Sequence, residues 1–293
     1  MSNHANARAV LIAQMSDIHV GFAPEDGEEE LNLTRFRATL ERLMESPNRP
    51  DMLVLSGDIT DRGDAESFAK TAALLAECPF PVLPLVGNHD NRAALCAAFP
   101  QVVPAEGGFL HYVVDAELGL RVICLDTLED GRHGGAFCKA RAAWLTARLA
   151  EAPDTPTLIF MHHPPVVSGI DWMDPAPNEA WMERLSVVLT GQRQVQAIHC
   201  GHLHRPIITR FAGIPLGVTP SVAPLVAMDL NPIDANLPDD RELITTEPPT
   251  YALHRWDGET LVSHYERVGD WQVLARFTPA LRPMIEGMFA ERR

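Results

Sequence analysis

The sequence predicts an α/β fold, because short apolar runs alternate with segments of helical periodicity along most of the chain. The runs that have the length of buried strands are Val10–Met15, 52–55, 82–86, 120–125, 158–161 and Val195–Cys200. The segments with apolar residues at helical spacing are 32–45, 65–77, 136–150 and 179–189. Strands that alternate with helices form layered sheets, so we expect a layered α/β architecture.

The chain changes character after about Ile207, where strand-like segments follow one another without helices between them. The Asp257-Gly258 pair is typical of a hairpin turn between two of these segments. Residues 229–250 are rich in Pro and Asp, which predicts a surface excursion or a small cap over a neighbouring site. We therefore expect one domain over residues 8–270, followed by a tail over 271–293.

Composition and charge exclude some classes of protein. The 293 residues carry a formal net charge of −15, which repels long polyanions, so we expect no long nucleic acid partner. No apolar run approaches the ~20 residues that cross a bilayer, and the first residues do not resemble a signal peptide. The five cysteines are widely spaced and form no CxxC pair, which favours reduced thiols. We expect a cytoplasmic protein with no membrane partner.

Polar side chains follow five of the predicted strands, at the point where each strand ends. They are Asp17 and His19, Asp58, Asn88 and His89, His162 and His163, and His202 and His204. In an open α/β sheet, ligands bind at this carboxyl edge of the strands. One such pair can be an ordinary turn, but five clusters of metal-compatible side chains predict a metal site.

The chemistry of these side chains narrows the metal. Carboxylates and imidazoles without a thiolate suit Mn, Fe, Zn or Co. Even seven of these nine side chains would be too many ligands for one ion with an open position, and they suit two divalent or mixed-valence ions about 3.5–4 Å apart that share a carboxylate. Asp58 is the best candidate for the shared carboxylate. Such a pair of ions activates a water molecule for hydrolysis at phosphorus.

In chain order, the blocks DIH, GD, GNHD, HH and GHLH resemble the signature of the calcineurin-like metallophosphoesterases, over residues 17–204. The segments SDIHVG, MHHPP, SGIDWMD, CGHLHR and PPTYALHRWDG are similar to those of the class III cyclic-nucleotide phosphodiesterase and glycerophosphodiesterase branch. This resemblance implies a four-layer sandwich of two mixed β-sheets flanked by helices. It also implies that both metals lie at the strand ends.

The resemblance further implies roles for individual residues. One ion would be held by Asp17, His19, Asp58 and His204, and the other by Asp58, Asn88, His162 and His202. Asn88 and His89 would contact the substrate, with His89 as the catalytic residue that stabilises the transition state or protonates the leaving alkoxide. In related proteins, the residue equivalent to Asp90 pairs with that histidine. His163 could support the site or only pack in its loop, and the 172–174 segment could form a wall over the leaving group.

The leading functional hypothesis is a phosphodiesterase that attacks a small soluble diester with a metal-bound hydroxide. A cyclic nucleotide and a glycerophosphodiester are not distinguished by the sequence. A metal-dependent phosphomonoesterase is the alternative. A monoester carries a second phosphate charge, which extra cationic side chains would bind, and apart from Arg205 the motif blocks contain few such side chains. A non-catalytic scaffold of the same fold is a third hypothesis. Relatives that assemble through their C-terminal regions suggest a homo-oligomer formed through 229–250 or 271–293.

Overall fold

The computed structural model describes residues 9–22 and 30–292 of the chain. Arg8, where the predicted domain begins, and Arg293, where the predicted tail ends, lie outside the described residues. In chain order, the strands of the described part are β1 (Val10–Met15), β2 (Met52–Ser56), β3 (Val82–Leu85), β4 (Tyr112–Asp115), β5 (Arg121–Leu125), β6 (Thr157–Met161), β7 (Val195–Cys200), β8 (Ile207–Phe211), β9 (Ile214–Val218), β10 (Leu225–Val226), β11 (Ile244–Thr245), β12 (Thr250–Trp256) and β13 (Leu261–Arg267).

The helices of the described part are α1 (Leu31–Glu45), α2 (Ala65–Leu75), α3 (Arg92–Ala98), α4 (Lys139–Glu151), α5 (Ala180–Leu189) and α6 (Arg282–Ala290). The amphipathic patterns in the sequence predicted α1, α2, α4 and α5, and the stretch that contains α6 is helix-like in sequence, but α3 was not predicted. Helix α4 begins later than the predicted residue 136, because the Ala136 amide donates to the carbonyl of Thr127 instead of entering the helix. Helices α2 and α3 each begin at a residue whose side chain caps the helix. Asp64 accepts a hydrogen bond from the Ser67 amide at the start of α2, and Asn91 accepts one from the Ala94 amide at the start of α3.

Two mixed sheets form the centre of the molecule. The first has the strand order β13-β12-β1-β2-β3, with β1, β2 and β3 parallel and β12 antiparallel to β1. The second has the order β4-β5-β6-β7-β9-β8, in which the edge strands β4 and β8 run antiparallel to their neighbours. All six strands predicted before residue 207 are present, and the hairpin at Asp257-Gly258 joins β12 to β13.

Alternation of side chains along the strands creates the layers. In β1, Val10 and Ile12 pack between the sheets in a cluster that includes Phe160 of β6. On the opposite face of the strand, Ala13 and the final Met15 pack in a separate cluster that includes Phe36 of α1. A third cluster joins the outer face of the second sheet to α4 and α5. The arrangement is helix, sheet, sheet and helix, which confirms the predicted four-layer sandwich.

The C-terminal third departs from the predicted excursion over 229–250. Residues 244–245 form β11, which pairs with β10, and β12 already begins at Thr250. The excursion without strands is therefore limited to 229–243, because residues 244–245 already form backbone hydrogen bonds within a β-sheet. Beyond β13, none of the residues 269–292 is buried.

None of the helices in the described ranges, 9–22 and 30–292, has the length and apolar character that a membrane span requires.

Candidate metal centre

The loops that follow β1, β2, β3, β6 and β7 meet at one edge of the sandwich. The amides of Asp17 and Ile18 donate to the carbonyls of Gly57 and Asp58, at 3.1 and 2.8 Å, so the loops after β1 and β2 are joined through their backbones. The His202 amide donates to both carboxylate oxygens of Asp17, at 2.9 and 3.0 Å. This last contact connects the two sheets and fixes the Asp17 carboxylate between them.

The seven predicted ligands form one cluster with two halves. In the first half, the Oδ1 atom of Asp17 lies 3.4 Å from Nε2 of His204. The Nε2 atoms of His19 and His204 lie 3.2 Å apart. Ligand atoms of Asp17, His19 and His204 all lie within 4.8 Å of one another, which is close enough to hold one ion.

The second half of the cluster is built around His162. Its Nε2 atom lies 3.2 Å from Oδ2 of Asp58 and 3.2 Å from Oδ1 of Asn88. His202 contributes a nitrogen within 4.8 Å of ligand atoms of His162 and His163. The same Oδ2 atom of Asp58 lies 3.6 Å from Nε2 of His19, in the first half. One carboxylate oxygen thus faces both halves of the cluster.

Backbone carbonyls fix the direction in which the imidazoles point. His162 donates its Nδ1 hydrogen to the carbonyl of Ser56 at 2.8 Å, and His204 donates its Nδ1 hydrogen to the carbonyl of Pro224 at 2.8 Å. In each neutral ring the Nε2 lone pair therefore faces the cluster. Metal-binding histidines are oriented by hydrogen bonds of this kind.

The donor set fits positively charged metal ions. Asp17 and Asp58 are 0 and 2 % exposed, and among the described residues no Lys or Arg lies within 4.0 Å of either carboxylate. Buried carboxylates without a cation are costly. Two imidazole nitrogens that face each other, as in His19 and His204, also need a shared cation or proton between them. Bound cations would satisfy both requirements.

The same arrangement perturbs the protonation of the cluster. Burial favours the neutral form of His162, but the Asp58 carboxylate overcomes this effect and raises the pKa of His162 to about 9. Burial likewise opposes ionisation of Asp58, yet the adjacent His162 holds the pKa of this carboxyl well below its usual value. Without metal, a proton on His162 therefore takes the place of a cation.

Backbone strain is concentrated in the same loops. The predicted ligands with a positive φ are Asp17, His19, Asp58, His202 and His204, with values of 52, 50, 48, 72 and 52°. A non-glycine residue in this left-handed region costs about 1–3 kcal/mol and is typical of functional sites. The packing of the loops against each other maintains this conformation, which directs the side chains into the cluster.

Two glycines allow these loops to approach each other. Gly57 has a φ of +95°, and a Cβ at this position would lie 2.5 Å from Nδ1 of His162. A Cβ at Gly87 would overlap the Asp58 carboxylate. The glycine of the GNHD block is therefore required by the close approach of Asp58, and not by its own φ.

The contacts of His89 and Asp90 differ from those that the resemblance implied. His89 donates its Nδ1 hydrogen to the backbone carbonyl of Asp61 at 2.8 Å, so this carbonyl orients the ring. Asp90 does not pair with His89. Its carboxylate accepts hydrogen bonds from the amides of Ile59, Thr60 and Gly87 and from the Thr60 hydroxyl, at 2.9–3.1 Å. The expectation for Asp90 was wrong because these donors occupy its carboxylate.

Two residues near the cluster were missed by the sequence reasoning. The Oδ1 atom of Asp61 lies 3.5 Å from Nδ1 of His19, and Asp61 follows the Asp58 block by three positions. His133 accepts a hydrogen bond from the Asn88 amide nitrogen at 3.3 Å, which turns the Asn88 oxygen toward His162. Asp61 could have been noticed as a second carboxylate in the block, whereas His133 lies in a loop far from any predicted strand end.

The residues left open by the sequence now have positions. His163 is buried, and its Nδ1 atom lies 2.8 Å from the Thr127 hydroxyl. Met173 and Asp174 line a cavity of about 140 Å³ beside His163 and His202, but Trp172 does not. A larger cavity of about 460 Å³, near Met182 and Phe211, contains none of the predicted ligands.

Comparison with known proteins identifies the family. Residues 10–206 match the calcineurin-like phosphoesterase family, and the chain belongs to it. A probable glycerophosphodiester phosphodiesterase GpdQ from Arcobacter nitrofigilis is 32% identical, over 90% of this chain and 95% of the relative. A probable cyclic nucleotide phosphodiesterase from Rhodopseudomonas palustris is 33% identical, over 78% and 82% of the two chains. The predicted resemblance to this branch is confirmed.

Solved structures show the same fold at lower identity. A dimetal phosphatase from Danio rerio has a TM-score of 0.58 and 18% identity, and the match covers 89% of this chain and 99% of that one. The predicted fold class is therefore supported by a second, independent comparison.

Proposed function

We propose that this protein is a metal-dependent phosphodiesterase that hydrolyses small soluble phosphodiesters with two cations. The observation that carries the proposal is the position of Asp58, whose Oδ2 atom lies 3.2 Å from His162 in one half of the cluster and 3.6 Å from His19 in the other. A shared carboxylate between two sets of donors is the arrangement of two-metal hydrolases.

The donors divide into two sets. One ion would be held by Asp17, His19, Asp58 and His204, and the other by Asp58, Asn88, His162 and His202. When bound, two such cations neutralise the phosphate charge and lower the pKa of water, so that water attacks phosphorus near neutral pH. The donor chemistry allows Mn, Fe, Zn or Co.

His89 is placed to act on the phosphate. Its amide donates to Oδ1 of Asp58 at 2.8 Å, and its Nδ1 hydrogen is engaged by the Asp61 carbonyl. The Nε2 atom remains for a phosphate oxygen or the leaving oxygen; as an imidazolium, with hydrogens on both ring nitrogens, His89 would stabilise developing charge there or deliver the Nε2 proton. Asn88, oriented by His133, would contact the same phosphate group.

Several observations favour a diester over a monoester. A monoester carries a second charge, for which Arg205 was the available cation. This guanidinium instead donates to Oε1 of Glu247 at 2.5 Å and to the carbonyl of Val226 at 3.2 Å, so its charge is already compensated. The names of the relatives also refer to phosphodiesters, either glycerophosphodiesters or cyclic nucleotides.

The test compares hydrolysis of bis(p-nitrophenyl) phosphate with that of the p-nitrophenyl monoester. Purified protein is stripped of metal and resupplied with Mn²⁺ before each assay. We expect metal-dependent turnover with a higher kcat/KM for the diester. A preference for the monoester would support the phosphatase hypothesis, and metal binding without turnover of either ester would support the scaffold.

We also propose a cytoplasmic location and a homo-oligomer. All five cysteines are free thiols, as expected in a reducing compartment. None of the described residues of the tail, 271–292, is buried. This exposure includes large apolar side chains, since Trp271, Leu274 and Phe277 are 59, 87 and 74% exposed. The tail sequence 271–293 carries four arginines and two glutamates, so its net charge is +2 and the rest of the chain carries −17. A basic apolar tail complements the acidic body of a second copy.

A further inference from the structure

Helix α1 carries two polar side chains that reach the loops of the candidate metal centre. Asn32 and Arg35 are three positions apart, so they lie on the same face of the helix. Asn32 is buried, and its side-chain amide donates to the backbone carbonyl of His19, a predicted ligand, at 3.0 Å. This face of α1 therefore contacts the backbone of the site, although neither residue belongs to the donor set.

Arg35 binds three backbone carbonyls that come from two separate segments. Its Nε atom donates to the carbonyl of Val222 at 2.8 Å. Its Nη2 atom donates to the carbonyls of Ala223 and Glu247, at 3.1 and 2.7 Å. Burial lowers the pKa of this guanidinium to about 10, so it still carries its charge at neutral pH. Hydrogen bonds from a charged donor are stronger than neutral ones, so Arg35 holds the two segments firmly together.

The segment between β9 and β10 is also bonded to the loop after β1. The amides of Val222 and Ala223 donate to the carbonyls of Ser16 and Asp17, at 3.0 and 2.9 Å. Arg35 binds the carbonyls of the same two residues, so both the amide side and the carbonyl side of this short segment are engaged. A shift of the segment would therefore displace the loop that carries Asp17.

The same segment orients His204. Pro224 directly follows Ala223, and its carbonyl accepts the Nδ1 hydrogen of His204 at 2.8 Å. The other ring nitrogen, Nε2, lies 3.4 Å from Oδ1 of Asp17. Hydrogen-bond partners of this kind fix the ring orientation of metal-binding histidines and raise their basicity. If the hydrogen bonds of Arg35 were lost, the carbonyl that orients this ring would lose its support.

The other half of the cluster has different supports. His162 is oriented by the carbonyl of Ser56, and Asn88 is oriented by His133. The hydrogen bonds of Arg35 reach none of these four residues. The contacts of this face of α1 therefore lead to one of the two proposed ions.

We infer that Arg35 is a positioning residue for the ion held by Asp17, His19 and His204, and that it acts by holding residues 222–224 in place. The inference rests on the proposed function, because it requires two ions, and it identifies a support that belongs to one of them. Groups that orient metal ligands typically change metal affinity by about 10- to 100-fold. Loss of Arg35 should therefore weaken one ion and spare the other.

The test is a calorimetric titration of the metal-stripped full chain with Mn²⁺, in two backgrounds that each keep one half of the cluster intact. In His162→Ala protein the intact half is the one that Arg35 supports, and adding Arg35→Ala should lower its Mn²⁺ affinity about 10- to 100-fold. In His204→Ala protein the intact half is the other one, and adding Arg35→Ala should change its affinity by no more than about twofold. Arg37→Ala, at an exposed arginine of the same helix, is the matched control and should change neither affinity.

A second variant covers the case in which Arg35→Ala does not fold, which thermal denaturation would show. Arg35→Lys keeps the charge but lacks the planar fork of donors, so it should lose affinity in the same background by a smaller factor, about 3- to 10-fold. Equal losses in both backgrounds would overturn the inference, because Arg35 would then support the fold in general. No loss in the His162→Ala background with either variant would also overturn it. If the wild type does not bind two ions, the proposed function itself fails and the inference falls with it.

Discussion

The two ring nitrogens of His162 face different groups. Nδ1 is held by the Ser56 carbonyl, while Nε2 faces Asp58 and Asn88 at 3.2 Å. Asp58 shows the same division, since Oδ1 accepts from the His89 amide and Oδ2 faces the cluster. Both side chains are oriented before metal binds, so little of their side-chain entropy would be lost when an ion enters.

The protonation of His162 predicts how metal binding depends on pH. Because its pKa in the metal-free protein is about 9, an incoming ion must displace a proton at neutral pH. We expect the apparent Mn²⁺ affinity to rise by up to about tenfold per pH unit between pH 7 and 9, and to level off above that range. Calorimetry in buffers of different ionisation enthalpy would count the released protons. Affinity that does not change over this range would contradict the assignment.

The same shift has a consequence for the metal-free protein. A histidine whose pKa is raised on folding stabilises the folded state below its unfolded-state pKa of about 6.5. This contribution is lost as the pH rises through about 9.

His89 is the residue whose chemistry can be separated from metal binding. His89→Ala should lower kcat for bis(p-nitrophenyl) phosphate by about 10²-fold or more while metal content stays unchanged. His264→Ala, which removes an exposed histidine from β13, is the control for general effects. Full activity of His89→Ala would exclude this residue from the mechanism, and loss of metal would give it a structural role instead.

At the scale of elements, the site depends on how loops after different strands are joined. Asp90 links the loop after β3 to the loop after β2 through the amides of Ile59 and Thr60, and it also accepts from the Gly87 amide of its own loop. These two loops carry Asp58, Asn88 and His89. A side chain that binds no metal therefore determines the distance between the predicted bridge and the predicted catalytic residue.

Removal of this link should destabilise the protein. Asp90→Ala leaves several buried amides without acceptors, at about 1–3 kcal/mol for each unsatisfied group. We expect a loss of about 2–5 kcal/mol in the free energy of unfolding and weaker metal binding, measured by chemical denaturation and metal analysis. Asp115→Ala, at an exposed carboxylate, should change stability little. If Asp90→Ala is as stable as the wild type, the link has no energetic importance.

The elements also show what the sequence can and cannot predict. Buried parallel strands such as β1 and β6 are almost continuous apolar runs, and their polar ends were recognisable for that reason. Helix α3 was missed because it is only seven residues long, and β4 because its residues are half-exposed. His133 and the contacts of Asp90 depend on which loops meet in space, and no local pattern in the sequence encodes such a meeting.

At the scale of the whole molecule, the body and the tail differ in charge and burial. Deletion of residues 271–293 removes no described residue that is buried, so the Tm of the body should change little. If the tail contacts a second copy, light scattering should show an assembly larger than 32.3 kDa for the full chain and a smaller one after deletion. An unchanged assembly state after deletion would exclude the tail as the interface.

The central claim is that Asp58 is shared by two ions that are both needed for diester hydrolysis. The most direct measurement is a Mn²⁺ titration of metal-stripped protein in which bound metal and the rate of bis(p-nitrophenyl) phosphate hydrolysis are followed together. We predict that the wild type binds two ions per chain, that its activity rises until the second is bound, and that Asp58→Ala binds both ions weakly and is inactive. Asp58→Ala protein that still holds two ions, or wild-type activity that is complete with one, would contradict the account.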